Sequence, residues 1–289
     1  MRILVFGTTG QLARELLRRA PPGVTLTALG RDRADLSHPE ACAAAVIASD
    51  ADLVINAAAH TAVDLAESEP ALADTVNGEA PGAMARAAAR RGLPFFHVST
   101  DYVFDGSGTK PWREDDPVAP LGAYGRSKLL GERLVAEAGG NAVILRTAWV
   151  FSAHGKNFVK TMLRLGAERD QLSVVDDQRG GPTAAADIAD ALFTVAGAFG
   201  EGRGKPGIFH FAGAPTVTWA DFAESIFAAS RLPRKPVVNR IPASAYPTPA
   251  QRPANSALDC SRILETYGIK QPDWRKSLSD VLRELEAGA

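Results

Sequence analysis

Short apolar runs alternate with longer alanine-rich stretches through the first half of the chain. The runs Arg2–Phe6, Thr25–Leu29, Leu53–Asn56, Phe95–Ser99 and Ala142–Arg146 are apolar at nearly every position rather than at alternate ones. That pattern marks strands buried on both faces, as in a parallel sheet covered by helices on either side. Between them, Gln11–Ala20, Pro39–Ala48, Pro70–Arg91 and Gly122–Ala138 read as helices. Regular strand–helix alternation predicts the α/β class, a Rossmann-type doubly wound parallel sheet.

The second half has a different rhythm. Leu172–Val175 and Gly207–Phe211 predict short strands, and Ala184–Ala198, Val217–Ala229 and Lys276–Glu286 predict helices. From Pro233 to Pro253 proline is dense, which predicts an extended loop with little regular structure, because each proline removes a backbone donor. The expected division is residues 1–147 as a Rossmann-type domain, with 183–214 returning to it, and 148–289 as mainly a smaller substrate-binding domain.

Composition narrows the setting. The 289 residues carry a net charge of −1, so no basic surface points to nucleic acid. The apolar run Ile3–Phe6 is too short for a signal segment, and no stretch approaches the roughly 20 apolar residues of a membrane span. A cytoplasmic protein is expected, with Cys42 and Cys260 as reduced thiols.

Gly7-Thr-Thr-Gly10-Gln11-Leu12-Ala13 follows the first strand and opens the first helix. Glycines there let the backbone approach a pyrophosphate, which the helix N-terminus then stabilises. The second strand usually ends in an acid that holds a ribose hydroxyl, but here it ends in Gly30 followed by Arg31. A guanidinium at that place suits a 2′-phosphate and favours NADPH. If Arg31 is instead a solvated loop charge, Asp32 serves the ribose, which keeps NADH open.

Three segments follow successive strands: Asn56–Thr61, Ser99–Tyr102 and Tyr124–Lys128. Ligands bind at the carboxyl ends of strands in such folds, so all three should border one crevice. Tyr124 and Lys128 are four residues apart and share a helix face. A nearby ammonium would lower the phenol's pKa and fit it to exchange a proton with an alkoxide. Thr100 supplies a hydroxyl for a substrate oxygen. Trp149 offers an indole face for a sugar, or else a core aromatic. Arg252 suits a diphosphate, or else is a surface charge, and Asn255 would assist the same clamp.

Glycine loop, Ser-Thr strand end and Tyr-Lys pair, in that order, resemble the extended short-chain dehydrogenase/reductase superfamily. The stretches FGTTGQL (6–12), NAAAHTAVDLAESEP (56–70), STDYVFDG (99–106), YGRSK (124–128), RTAWVF (146–151), NFVKTMLRL (157–165), GGPT (180–183) and AYPTPAQRPANSALD (245–259) narrow the resemblance to the dTDP-4-dehydrorhamnose reductase family. The resemblance implies hydride transfer from a nicotinamide to the C4 ketone of a dTDP-linked 6-deoxy-4-keto sugar, giving dTDP-L-rhamnose. It implies Tyr124 as proton donor, Lys128 as its partner and Thr100 as a tuning group. Gly7, Gly10, Gln11, Leu12, Arg31, Asp35, Leu36, Ala59, His60, Thr61, Val98, Tyr124 and Lys128 would hold the cofactor. Thr100, Asp101, Trp149, Arg252 and Asn255 would hold the nucleotide sugar. Two alternatives are a reductase for another sugar epimer and a non-catalytic cofactor-binding subunit. Some family members hold magnesium through glutamates at a dimer interface. Glu15 matches one such position, while Ala186 stands at another with Asp187 beside it, so magnesium and a homodimer both stay open.

Overall fold

The computed structural model describes residues 1–287. Its first half runs β1 (Arg2–Phe6), α1 (Gln11–Arg19), β2 (Thr25–Leu29), α2 (Pro39–Ala48), β3 (Leu53–Asn56), α3 (Val63–Ala66), α4 (Pro70–Asp74), α5 (Ala80–Arg90), β4 (Phe95–Thr100), α6 (Ala123–Glu137) and β5 (Ala142–Thr147). Then come β6 (Val150–Phe151), α7 (Phe158–Glu168), β7 (Gln171–Val175), β8 (Arg179–Gly180), β9 (Thr183–Ala184), α8 (Ala185–Gly200), β10 (Gly207–His210), β11 (Val217–Thr218) and α9 (Trp219–Ala229). β12 (Val237–Ile241), β13 (Asn255–Ser256), α10 (Ser261–Tyr267) and α11 (Trp274–Ala287) complete it.

Six strands form the main sheet in the order β10-β5-β4-β3-β1-β2, all parallel. Side-chain alternation divides each strand between two cores. Ile3 and Val5 of β1 pack with Leu16 of α1 and Ile188 and Leu192 of α8. Leu4 and Phe6 pack on the other face with Val46 of α2, Met84 of α5 and Val135 of α6. The strands β1, β3 and β5 are buried on both faces, as their apolar runs predict. β2 departs from that: it is the sheet edge, and Thr25 and Thr27 are exposed. β10 adds to the other edge beside β5 after the chain has left the sheet and begun a second core. That core gathers Phe151, Val159, Leu172, Phe222, Ile226, Trp274 and Leu278.

Two sequence expectations need correction. The single helix over Pro70–Arg91 is interrupted by a π-helical turn, Thr75–Glu79. Pro81 has no N–H to give Asn77, and its ring would strike that carbonyl in a regular helix, so the backbone widens by one residue there. The Asn77 carbonyl lies so close to Gly131 of α6 that a Cβ at Gly131 would sit 2.1 Å from it. The proline-rich segment is also more ordered than its composition suggests. β12 lies between Pro236 and Pro242 and pairs in parallel with all of β7, and β13 pairs with β8. The prolines delimit a strand rather than prevent one.

Candidate active site

A cleft of about 670 Å³ opens at the carboxyl ends of β1, β2, β3 and β4. Its floor is the turn from β1 into α1. Gly7 has φ of +113°, a conformation that side-chain-bearing residues rarely adopt. Gly10 is the N-cap of α1 with no side-chain cap, and a Cβ there would meet nothing within 4 Å. The first-turn N–H groups therefore face an open cradle that suits a pyrophosphate. Gln11 is pinned from the smaller core: its Oε1 accepts from Ser152 Oγ at 2.8 Å and Asn157 Nδ2 at 2.9 Å.

At the β2 end, Leu29, Gly30, Arg31, Asp35 and Leu36 line the cleft. A Cβ on Gly30 would lie 2.6 Å from Asp32 Oδ1 and 3.0 Å from Thr8 Oγ1, so a side chain there would displace Asp32. Asp35 turns its Oδ1 back to accept from the Ser37 N–H at 2.9 Å, and this bond lowers its pKa. Arg31 is exposed at the rim.

Thr100, the last residue of β4, caps the turn Asp101–Val103 by accepting from the Tyr102 N–H at 3.2 Å. Its hydroxyl also donates to Asp101 Oδ1 at 3.1 Å. Tyr124 enters from the first turn of α6. Glu67, from far back in the chain, caps that helix by accepting from the Ala123 N–H at 2.7 Å. Gly125 lets α6 press onto the Tyr102 backbone, where a Cβ would meet the carbonyl at 2.3 Å. The Tyr102 and Tyr124 rings meet edge to face at 5.6 Å.

The electrostatics differ from the sequence expectation that an ammonium pulls the phenol's pKa down. Burial pushes the Tyr124 phenol up to about 12, opposed by the Thr100 hydroxyl. Burial pushes the Lys128 amine down to about 8. Lys128 is 2% exposed and points its Nζ at the Val98 carbonyl, 2.6 Å away. Burial also raises the Asp101 carboxyl to about 7, and its Oδ2 has no partner.

Gly7, Gly10, Gln11, Leu12, Arg31, Asp35, Leu36, Ala59, Thr61, Val98, Thr100, Asp101, Tyr124, Lys128 and Trp149 all line this cleft. His60 does not. Its backbone is clamped by Asn77, which accepts from the His60 N–H at 2.8 Å and donates to its carbonyl at 3.0 Å, and its ring lies 3.7 Å from Glu69. Arg252 and Asn255 are also outside the lining. Arg252 meets Asp64 in a fork, at 3.2 and 2.9 Å. Asn255 spends its amide on the Lys110 carbonyl and the Ala257 N–H. Both residues of the expected diphosphate clamp thus have protein partners in this structure. Sequence reasoning missed Trp219, which lines the cleft against Trp149, and Glu67; both contacts span more than 50 residues.

Glu15, His154 and Glu284 gather within 4.8 Å. Arg18 already bridges both carboxylates, with contacts of 2.7 Å to Glu15 and 3.3 Å to Glu284. Asp187 accepts from Ser277 Oγ at 2.6 Å instead of joining them. Magnesium asks for an octahedron of oxygens, and a guanidinium and an imidazole among two carboxylates do not fit it.

A phosphate cradle facing a Thr–Tyr–Lys group across one cleft defines a Rossmann-type oxidoreductase that uses a nucleotide cofactor. The comparisons place it more narrowly: the chain belongs to the family described as RmlD substrate binding domain, which matches residues 1–287. It is 48% identical to dTDP-4-dehydrorhamnose reductase of Burkholderia thailandensis over 99% of both chains. The crystal structure of a dTDP-4-dehydrorhamnose reductase from Clostridium acetobutylicum superposes with a TM-score of 0.92 at 36% identity, covering 99% of this chain and 100% of that one. That of Bacillus anthracis, in complex with NADP, gives 0.91 at 31%, covering 98% and 99%.

Proposed function

We propose that this protein reduces the C4 ketone of dTDP-4-dehydro-6-deoxy-L-mannose to dTDP-L-rhamnose, with NADPH as the preferred donor. The observation that carries the reading is the meeting of Thr100, Tyr124 and Lys128 beside the Gly7–Leu12 cradle, in a chain close to known reductases along its whole length. NADPH, when bound, supplies the hydride. The chain supplies the rest. The first turn of α1 would receive the pyrophosphate, and Arg31 at the rim would meet a ribose 2′-phosphate. Thr100 orients the sugar's C4 oxygen, and Tyr124 gives that oxygen a proton as its charge develops. A phenol held near 12 is fully protonated at neutral pH, so it stands ready as the acid in the reductive direction. Lys128, whose amine lies against the Val98 carbonyl at the cleft, would hold the ribose. Trp149 and Trp219 offer the wall on which the sugar nucleotide packs.

In this reading the protein works in the cytoplasm on a small nucleotide sugar, and residues 148–182 and 215–289 form most of the substrate-binding part. Among the described residues no helix is long and apolar enough to cross a membrane. A homodimer is tested by light scattering. The activity is tested by NADPH oxidation with the 4-keto sugar nucleotide made by the preceding dehydratase and epimerase. NMR of the product separates rhamnose from talose. No oxidation with an intact, NADPH-binding protein would favour the non-catalytic alternative.

A further inference from the structure

Directly beneath the cleft, His97 of β4 is 1% exposed and lies between two side chains whose hydrogen-bonding roles can be counted. On one side its Nδ1 is 3.2 Å from Asn56 Nδ2. The Asn56 carboxamide is oriented by the backbone, because its Oδ1 accepts from the Ala58 N–H at 3.2 Å. The amide therefore presents its NH2 to the ring, and an NH2 only donates. Nδ1 must accept, so the single proton of the neutral imidazole sits on Nε2. On the other side, that Nε2 is 3.3 Å from Lys128 Nζ. An ammonium has no lone pair, so a protonated lysine would set N–H against N–H. A neutral amine satisfies every contact: it accepts from His97 Nε2–H and donates to the Val98 carbonyl at 2.6 Å.

We infer that His97 is a positioning residue that favours the neutral amine of Lys128 over its ammonium in the cofactor-free site, through an Asn56–His97–Lys128 hydrogen-bond chain. The neighbours of Lys128 agree. Burial depresses the pKa of Lys128 and pushes that of His97 well below its ordinary value. Glu132, one turn further along α6, favours the charged amine, but Arg146 of β5 neutralises it through a two-point ion pair. Tyr124 and Asp101 stand on the cleft side. Asn77, in the π-helical turn, and Ser127, on α6, bond to each other and carry no charge.

The test uses the full chain with isotope-labelled histidine and lysine. A long-range proton–nitrogen correlation at neutral pH is expected to show His97 protonated on Nε2 and bare on Nδ1. A proton on Nδ1, or on both nitrogens, overturns the inference. The Lys128 side chain, assigned with a Lys128→Met variant, is then titrated by NMR. In His97→Phe the amine loses its donor, and its midpoint is expected to rise by about one pH unit, tenfold in proton affinity. In His97→Gln, whose amide nitrogen stands where Nε2 stood, it is expected to stay near the wild-type value. An unchanged midpoint in His97→Phe overturns the inference, and if that variant does not fold, the wild-type tautomer still decides. The inference rests on the reductase reading only for its meaning in catalysis, since neither NMR measurement needs a substrate.

Discussion

Trp149 and Trp219 lie face to face, with ring centroids 3.4 Å apart and planes within 8°. Trp149 holds this place with φ of +50°, and the Gly180 backbone backs it so tightly that a Cβ there would lie 2.6 Å from the indole. A residue other than glycine in that conformation costs about 1 kcal/mol or more, so surrounding contacts must hold it. Removing one ring leaves the other without its support. Trp219→Ala is expected to raise KM for the sugar nucleotide about tenfold and leave KM for NADPH near wild type, since a stacked aromatic contact is worth about 1 kcal/mol beyond its buried area. Steady-state kinetics with each substrate varied in turn checks this, and equal effects on both would remove the assigned role.

Tyr124→Phe deletes the proton donor and keeps the edge-to-face contact with Tyr102. The expected loss in kcat is about 10²- to 10⁴-fold, with unchanged circular dichroism and NADPH affinity. Near-wild-type turnover would mean that another group delivers the proton.

Arg31→Ala tests cofactor choice at the cleft rim. A charge-assisted bond to the 2′-phosphate is worth about 1.5–3 kcal/mol, so the preference for NADPH over NADH should fall by at least about tenfold. Dissociation constants measured by fluorescence titration for both nucleotides check it. An unchanged ratio would return Arg31 to the status of a solvated charge.

Asp101 predicts a pH effect on stability. Its carboxyl is raised from 3.8 to about 7 in the folded protein, chiefly by burial. A raised carboxyl favours folding below its unfolded value, and that contribution is lost as pH climbs through the folded value. Asp101→Asn cannot ionise, so its advantage over wild type should grow from about pH 5 to about pH 8, on the order of a few kcal/mol. Urea unfolding of the cofactor-free protein at the two pH values checks the sign.

Arg146 and Glu132 form a two-point ion pair at 2.8 and 2.6 Å with both side chains 3% exposed. Arg146→Met would leave Glu132 buried without its partner. Chemical denaturation should show a loss of about 3–5 kcal/mol, and the double variant Arg146→Met with Glu132→Leu should recover much of it.

Much of this molecule was legible because its signals are local. Gly7 and Gly10 follow a strand at the start of the chain, and Tyr124 and Lys128 share one helical turn, so a few consecutive residues carry the chemistry. The apolar runs of β1, β3 and β5 announce burial on both faces. Signals that depend on distant partners were not legible. Arg252 reads as a free cation until Asp64, 188 residues away, is seen beside it. Asn255 looks available until the fold gives it Lys110 and Ala257. His97 looks like a lone polar residue inside a strand, and its role depends on where Asn56 and Lys128 fall in space. The π-turn was hinted at by Pro81, although the sequence cannot say that Gly131 would receive the displaced carbonyl. The strand between Pro236 and Pro242 was hidden by its prolines, since only β7 shows that these bracket a paired segment.

The late return of β10 to the side of β5 has a consequence during synthesis. When Thr147 leaves the ribosome, the sheet has five of its six strands, and one edge lacks its neighbour. The missing strand ends at His210, roughly 60 residues later, which at typical elongation rates means a delay on the order of several seconds. Through that interval β5 is an open strand edge able to pair with a neighbouring nascent chain. Helper proteins that shield nascent chains should therefore matter most to this protein in that window, and slowing elongation between residues 147 and 210 should lower its soluble yield.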